Sequence, residues 1–279
     1  MLLGIVLALS LLIAAGICLL AGGFAGLAWL WILPVSFVGA FLVLAALAFL
    51  FLWLCCKRVD LSKPQENDSK FYRCMMHLYL DSIFIVGRVK IKTSGLEQTP
   101  KSGRFLLVCN HIDNVDPAFL MTCFRKSQLA FISKREVQSM FLVGQLMHKL
   151  LCQPINREND REALKTILKC IQIIKEDKAS IAVFPEGYIH EDKKLHHFRP
   201  GAFKIATKTR VPIVVCTLRD TPEVLKNFTQ LKPSTVEVRL LQVIYPEEYE
   251  TITTVELADR IYQLMADDLG PDRVSQENA

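Results

Sequence analysis

A chain of 279 residues with a formal net charge of +5 and a pI near 8.7 is long enough to bury a substantial core. Its 51% hydrophobic content is unevenly spread: residues 1–56 contain no Asp, Glu, Lys, Arg or His, and every charge lies beyond them. Nine cysteines without a C-x-x-C pair argue against a disulfide framework, and basic residues scattered among acidic ones with no aromatic platform motif argue against a nucleic-acid binder.

In chain order, residues 2–21 ("LLGIVLALSLLIAAGICLLA") and 35–54 ("VSFVGAFLVLAALAFLFLWL") each supply the roughly 20 apolar residues that a bilayer span needs. Between them "GGFAGLAWLWILP" offers glycines, Pro34, and Trp29 and Trp31 as interfacial anchors, a role Trp53 shares at the far end of the second segment. The start "MLLG" lacks a positive n-region and the continuation stays apolar, so a cleaved signal peptide is rejected. The expectation is a two-helix membrane anchor over 1–56, either spanning the bilayer or lying within one leaflet. Lys57, Arg58 and Lys63 follow at once, which places the rest of the chain on the cytoplasmic face of the cell membrane. The positive balance suits a domain held against anionic headgroups.

Residues 57–70 read as a linker ending in "LSKPQENDSK", and 71–279 as one domain. Strands are expected at "RFLLVCN", "LAFIS", "CQPIN", "SIAVFPEG", "VPIVVCTL" and "TVEVRLLQVI". Helical periodicity is clearest in "DREALKTILKCIQIIKED", where Ala163, Leu164, Ile167, Leu168, Ile171 and Ile174 recur at i, i+3/i+4, and again in "TVELADRIYQLMADDL". "MFLVGQLMHKLL" (140–151) reads as core, with an acyl channel or a membrane dip as the other uses. The alternation predicts an α/β domain with a mixed, mostly parallel sheet flanked by helices.

Three polar motifs fall just beyond expected strands: "NHIDNVD", "INR" and "FPEG". Open α/β sheets bind ligands beyond the carboxyl ends of their strands, so one cleft would receive all three. His111 has Asp116 five residues on. A carboxylate on one ring nitrogen fixes the imidazole tautomer and leaves the other nitrogen to take a proton. The bland use of Asp116 is to N-cap the helix "PAFLMTCF". No G-x-S-x-G elbow is present, and "GLEQTPKS" has Pro100 where a P-loop needs glycine. With no nucleophile and no nucleotide loop, the economical role for His111 is to deprotonate a substrate hydroxyl that attacks a ready-made thioester.

From Gly103 to Leu218 the chain resembles the 1-acylglycerol-3-phosphate acyltransferases and related glycerolipid acyltransferases. The likeness rests on N-H-x4-D as "NHIDNVD", then "FISKREV" with "PINR", then "FPEGYIHED" with "RPGAFKIA", and finally "VPIVVC", all in the family order. It implies transfer of a fatty acyl group from an acyl-CoA or acyl carrier protein thioester to the free sn-2 hydroxyl of a lysophosphatidate-like acceptor. It implies His111 as general base, Asp116 as its orienting partner, and Lys134 and Arg157 as phosphate-binding cations. Glu186 and Gly187 match the acceptor loop, and Asn110, Pro185, Gly201 and Pro212 are motif positions that support the site. No metal and no other cofactor is implied. The apolar hairpin also looks like that of bacterial members.

The departures cluster on the acceptor side. Asp113 stands where the family often has Ser, Tyr188 and Ile189 where Thr or Ser and then Arg usually follow F-P-E-G, and Val215 where a second proline is common. Arg199, or Lys193 and Lys194, is the candidate substitute for the missing arginine. A different lyso-lipid, or glycerol 3-phosphate, is the alternative acceptor, and a non-catalytic membrane lipid-binding relative the alternative function. The "HEDKKLHH" cluster, with His190, Glu191, Asp192, His196 and His197, resembles a metal site but offers no regular element to hold ligands; a solvated loop suits it better. Lys204 and Lys208 read as a solvated helix face.

Overall fold

The fold was taken from a computed structural model that describes residues 1–22 and 26–276. The expected connection between the apolar helices falls partly on residues 23–25, outside the described residues. Helix α1 is Leu2–Leu20 and α2 is Trp29–Lys57, and the two pack against each other. Helix α2 begins six residues before the expected segment and takes in Trp29, Trp31 and Pro34. A proline this close to a helix start removes a single ladder bond, so the connection is shorter than the sequence suggests. The hydroxyls of Ser10 and Ser36 donate back to the carbonyls of Val6 and Ile32, so neither polar group is left unsatisfied in an apolar helix.

Helix α3 (Lys70–Val86), capped by Ser69, lies between the hairpin and the α/β domain. The expected linker is pinned at its end: buried Arg73 grips Asp68 with two guanidinium nitrogens and also donates to the Leu129 carbonyl. Neither α3 nor strand β1 (Val89–Ser94) was legible, because "KFYRCMMHLYL" mixes charges into its apolar stripe and "VKIKTS" is half-exposed at a sheet edge.

The sheet has seven strands: β1, β2 (Leu106–Cys109), β3 (Leu129–Lys134), β4 (Gln153–Ile155), β5 (Ser180–Val183), β6 (Ile213–Arg219) and β7 (Ser234–Ile244), in the order β1-β7-β6-β2-β5-β3-β4. Strands β2 to β6 are mutually parallel; β7 runs antiparallel to β6, with β1 parallel to β7. This is the expected mixed, mostly parallel sheet. Strands β2 and β5 are buried along their whole length, as is β6 up to Arg219, which is why "LLVC", "SIAV" and "IVVCTL" read as continuous runs rather than alternating ones.

Helices α4 (Asp116–Cys123), α5 (Val143–Lys149), α6 (Asp160–Lys175), α7 (Lys204–Thr209), α8 (Pro222–Thr229) and α9 (Thr254–Leu269) complete the domain. Asn159 caps α6 through the amides of Arg161 and Glu162, and Thr253 with Glu256 forms a capping box on α9. Helix α6 buries Ile167, Cys170, Ile171 and Ile174, while Leu164 and Leu168 are about half exposed. The buried face therefore lies one row to the side of the expected stripe, with Cys170 and Ile173 on it in place of Leu164 and Leu168. In 140–151, Leu150 and Leu151 are core, whereas Met140 and Phe141 face outward. Lys204 and Lys208 are exposed.

Candidate active site

The five parallel strands deliver the three polar motifs to one end of the sheet. "NHIDNVD" follows β2, "FPEG" follows its neighbour β5, and "NR" follows β4 at the edge.

Asn110 sets the first loop. Its side-chain amide donates to the Leu218 carbonyl at 3.0 Å, and its oxygen accepts the Leu218 amide at 2.7 Å. This two-way clamp joins the end of β2 to the end of β6 and fixes the direction in which His111 leaves the strand. Past it the chain turns tightly. Asp113 accepts the Val115 amide in an Asx turn, and its carbonyl accepts the Asp116 amide. A serine hydroxyl closes such a turn in the same way, so Asp113 in the position where the family often has Ser leaves the loop geometry intact.

Asp116 is fully buried but does not cap α4. Its Oδ2 accepts the amides of Ile112 and Asp113 at 2.8 and 2.9 Å and lies 2.9 Å from His111 Nδ1, while its Oδ1 accepts the Thr221 hydroxyl at 2.6 Å. A carboxylate is acceptor-only, and the two backbone amides and the hydroxyl use it as such. Nδ1 of His111 then carries the proton, and Nε2 holds the free lone pair. The ring stacks on Phe184 at 4.0 Å between centroids, and Nε2 makes no hydrogen bond among the described residues.

Glu186 is the second buried carboxylate. One oxygen accepts the His111 amide at 2.8 Å and the other the His196 amide at 3.0 Å, so it braces the histidine loop against the loop after β5. Burial pushes its carboxyl up to about 8, against the opposing pull of those two amides. Gly187 follows at φ 92°, where a Cβ would stand 3.0 Å from Arg199 Nε. Glycine here lets the guanidinium fold across the loop.

Beside the histidine loop is a cavity of about 280 Å³ with mostly apolar walls, among them Ile132, Ile155, Ile167 and Phe184, and with Arg157, Arg199 and Gly201 in its lining. Burial and the neighbouring Arg199 charge both lower the Arg157 pKa. Neither guanidinium forms a salt bridge among the described residues, although Asp160 also lines the cavity and Glu136 partly offsets the effect on Arg157. The structure thus brings Arg157 and Arg199 together but leaves Lys134 outside: its ammonium is largely exposed and 3.5 Å from Glu136. Pro185 supports Arg199 by accepting its amide at 2.8 Å, and the Pro212 carbonyl accepts the Leu106 amide. Lys193 and Lys194 lie on the exposed loop.

A second pocket of about 150 Å³ contains Tyr188, His190, His196, His197 and Arg199 above Glu186. His196 pairs with Asp192 at 3.0 Å and stacks on His190, while His197 turns away to stack on Tyr262. Among the described residues no three His, Cys, Asp or Glu side chains gather as a metal-ligand set. Sequence reasoning missed Thr221, Phe184 and the backbone role of His196. The only signal for Thr221 was its position, just beyond a strand and before Pro222.

Comparison with known proteins finds the following relatives. The family profile described as Acyltransferase matches residues 90–219, from β1 to the end of β6. The chain is 30% identical over 212 residues to a probable 1-acyl-sn-glycerol-3-phosphate acyltransferase of Mycoplasma pneumoniae, covering 72% of this chain and 77% of that one. It is 31% identical over 179 residues to the chloroplastic 1-acyl-sn-glycerol-3-phosphate acyltransferase BAT2 of Brassica napus, covering 63% and 51%. The fold matches the crystal structure of the 1-acyl-sn-glycerophosphate acyltransferase PlsC from Thermotoga maritima with a TM-score of 0.57 at 19% identity, over 78% of this chain and 86% of that one. The chain is an O-acyltransferase of lipid metabolism. The chain belongs to the 1-acyl-sn-glycerol-3-phosphate acyltransferase family.

Proposed function

We propose that the protein moves a fatty acyl group from an acyl-CoA or acyl carrier protein thioester to the sn-2 hydroxyl of 1-acylglycerol 3-phosphate, giving phosphatidic acid. The names of the relatives support this reaction. The observation that carries the mechanism is the His111–Asp116 pair, 2.9 Å apart with three further hydrogen-bond donors on the carboxylate.

In this reading His111 Nε2 takes the acceptor's hydroxyl proton as that oxygen attacks the thioester carbonyl. Asp116 holds the ring and stabilises the imidazolium. The C–S bond then breaks, and the imidazolium proton goes to the departing thiolate, leaving an ester, a free thiol and neutral His111. General-base assistance of this kind contributes about 10² to 10⁴ in rate. Arg157 and Arg199 bind the acceptor phosphate, because a phosphate dianion relieves the repulsion between two adjacent guanidiniums and takes charge-assisted bonds from both. Arg199 here replaces the arginine lost at Ile189, and exposed Lys134 guides the phosphate from the rim. The apolar walls of the cavity suit an acyl chain.

Residues 1–56 are read as the anchor, 57–70 as the linker and 71–279 as the catalytic domain, on the cytoplasmic face of the cell membrane. The basic residues after α2 support that orientation. The test is acyl transfer by purified protein in lipid, offered lysophosphatidate with coenzyme A and carrier-protein thioesters, as wild type and as His111→Ala. Product from wild type that disappears in the variant is expected and names the donor. A folded wild type inactive on lysophosphatidate and on other lyso-acceptors overturns the reading; transfer only to another acceptor reassigns the pocket around Tyr188 and Arg199.

A further inference from the structure

Two tyrosines of α3 fix which way the hairpin points. Tyr72 donates its hydroxyl to the Cys55 carbonyl at 3.0 Å and Tyr79 to the Ala48 carbonyl at 2.5 Å. Seven residues forward on α3 correspond to seven residues back on α2, so the helices run antiparallel. Helix α3 therefore travels toward the tip of the hairpin. It ends at Gly87, and the next strand pairs Val89 with Ser234, the first residue of β7. Because β7 is antiparallel to β6, with Arg219 opposite Glu237, that corner lies at the carboxyl end of β6. That is the end of the sheet that carries His111.

The distances are consistent with a shallow anchor. From Ala48 back to Trp29, α2 extends about 28 Å, whereas α3 climbs about 10 Å from Tyr79 to Val86. The tip of the hairpin thus stands about 18 Å beyond the end of α3, near one leaflet of a hydrocarbon core roughly 30 Å thick. With the hairpin in a leaflet, the end of α3 falls at headgroup level.

What lies at that level is an apolar patch with a basic rim. Ile83, Ile85 and Val86 are exposed at the end of α3, and Leu225, Phe228 and Leu231 are exposed along and just after α8. The two groups are joined by the residues that follow α3: a Cβ on Gly87 would stand 3.0 Å from the Phe228 ring, and Arg88 reaches the Leu231 carbonyl at 3.4 Å. Leu231, 82% exposed, is held at φ 56°, a left-handed conformation costly for leucine. Arg88 and Lys232 form no salt bridge among the described residues, and Lys226 has only an exposed partner in Glu223. Apolar side chains that enter the acyl boundary beneath cations that meet phosphates are what an anionic leaflet binds.

We propose that the end of α3 and helix α8 form a second, interfacial contact with an anionic phospholipid leaflet, separate from the hairpin and beside the active-site end of the sheet. This rests on the reading of residues 1–56 as a membrane anchor. The contact would hold that end of the sheet against the surface from which both acyl-bearing substrates arrive.

The test uses full-length protein in nanodiscs of phosphatidylglycerol and phosphatidylcholine, in a Cys74→Ser background that removes the exposed native thiol. An environment-sensitive fluorophore is attached in turn at Leu231→Cys, at Leu42→Cys in the hairpin, and at Lys126→Cys between α4 and β3, at the far end of the sheet. At 231 the expected result is a blue-shifted emission quenched by nitroxide-bearing lipid, as at 42, with the shift weakened in pure phosphatidylcholine; the probe at 126 stays solvent-like. A solvent-like probe at 231 beside a buried one at 42 overturns the proposal and leaves the anchor standing. Solvent-like probes at both positions overturn the anchor reading and the proposal with it. Shielding at 231 that persists in detergent and grows with protein concentration assigns the patch to self-association and also overturns it. As a functional arm, Phe228→Glu with Leu231→Glu is expected to lose acyl transfer to a vesicle-borne acceptor while keeping it in mixed micelles.

Discussion

Thr221 donates its hydroxyl to Asp116 Oδ1 at 2.6 Å across 105 residues of sequence, and both residues are fully buried. The bond joins the end of β6 to the histidine loop after β2, and it fills the one side of the carboxylate that His111 and the loop amides leave open. Thr221→Val keeps the shape and removes the donor. A lost bond to a buried charged group costs about 1–3 kcal/mol, so a lower melting temperature is expected. The reaction should slow roughly ten- to a hundredfold in kcat, with KM for the acceptor little changed, because the base is misaligned rather than removed. Thr221→Ser should restore most of it. A merely structural role would lower the melting temperature in Thr221→Val without moving kcat.

Asp116→Asn tests the carboxylate itself. With its oxygen where Oδ2 lies, the amide still accepts from Ile112, Asp113 and His111, and its NH2 group donates to the Thr221 hydroxyl, so the substitution keeps the loop and removes the negative charge that stabilises the imidazolium. The variant should lose about 10²–10⁴ in kcat and bind substrates nearly as before. Activity within a few-fold of wild type would remove Asp116 from the mechanism.

The sequence made the chemistry of this site more legible than its supports. His111, Asp116, Arg157 and Glu186 lie in short contiguous motifs beyond strands whose apolar runs mark them as buried, so the sheet gathers them. Thr221 and Asn110 act through partners more than 100 residues away, and no local pattern signals such a pairing. Strand β1 and helix α3 were missed because each presents a mixed, half-exposed face, which weakens periodicity. Pro34 suggested a longer break than exists, since a proline near a helix start is tolerated. Lys134 illustrates the reverse: the motif supplied the residue, and the fold leaves its ammonium exposed beside Glu136.

Arg157 and Arg199 should separate by substitution. Each is expected to contribute a charge-assisted bond to the acceptor phosphate, so Arg157→Ala or Arg199→Ala should raise the acceptor KM roughly ten- to a hundredfold and leave the thioester KM unchanged. Arg199→Lys should recover only part, because an ammonium lacks the planar fork. The same pair predicts that glycerol 3-phosphate raises the melting temperature of wild type more than of either variant, since an anion relieves the guanidinium repulsion. Equal stabilisation in all three would move the phosphate elsewhere.

Glu186 should leave a signature in the pH dependence of stability. Its carboxyl titrates near 8 in the folded chain, above its ordinary value of 4.5, because burial outweighs the two amides it accepts. An acid whose pKa is raised by folding binds its proton more tightly in the native state. Stability from this group is therefore greatest below about 4.5 and declines as pH rises toward 8, by at most about 1.4 kcal/mol per pH unit. Between pH 6 and 8 the wild-type melting temperature should fall. Glu186→Gln cannot ionise, so its curve should be flatter over that range, although it starts lower because the new NH2 group faces either the His111 or the His196 amide. Thermal unfolding of both proteins across this range decides the matter. Parallel curves for wild type and variant would mean that Glu186 keeps an ordinary carboxylate pKa despite its burial, with the two backbone amides outweighing desolvation.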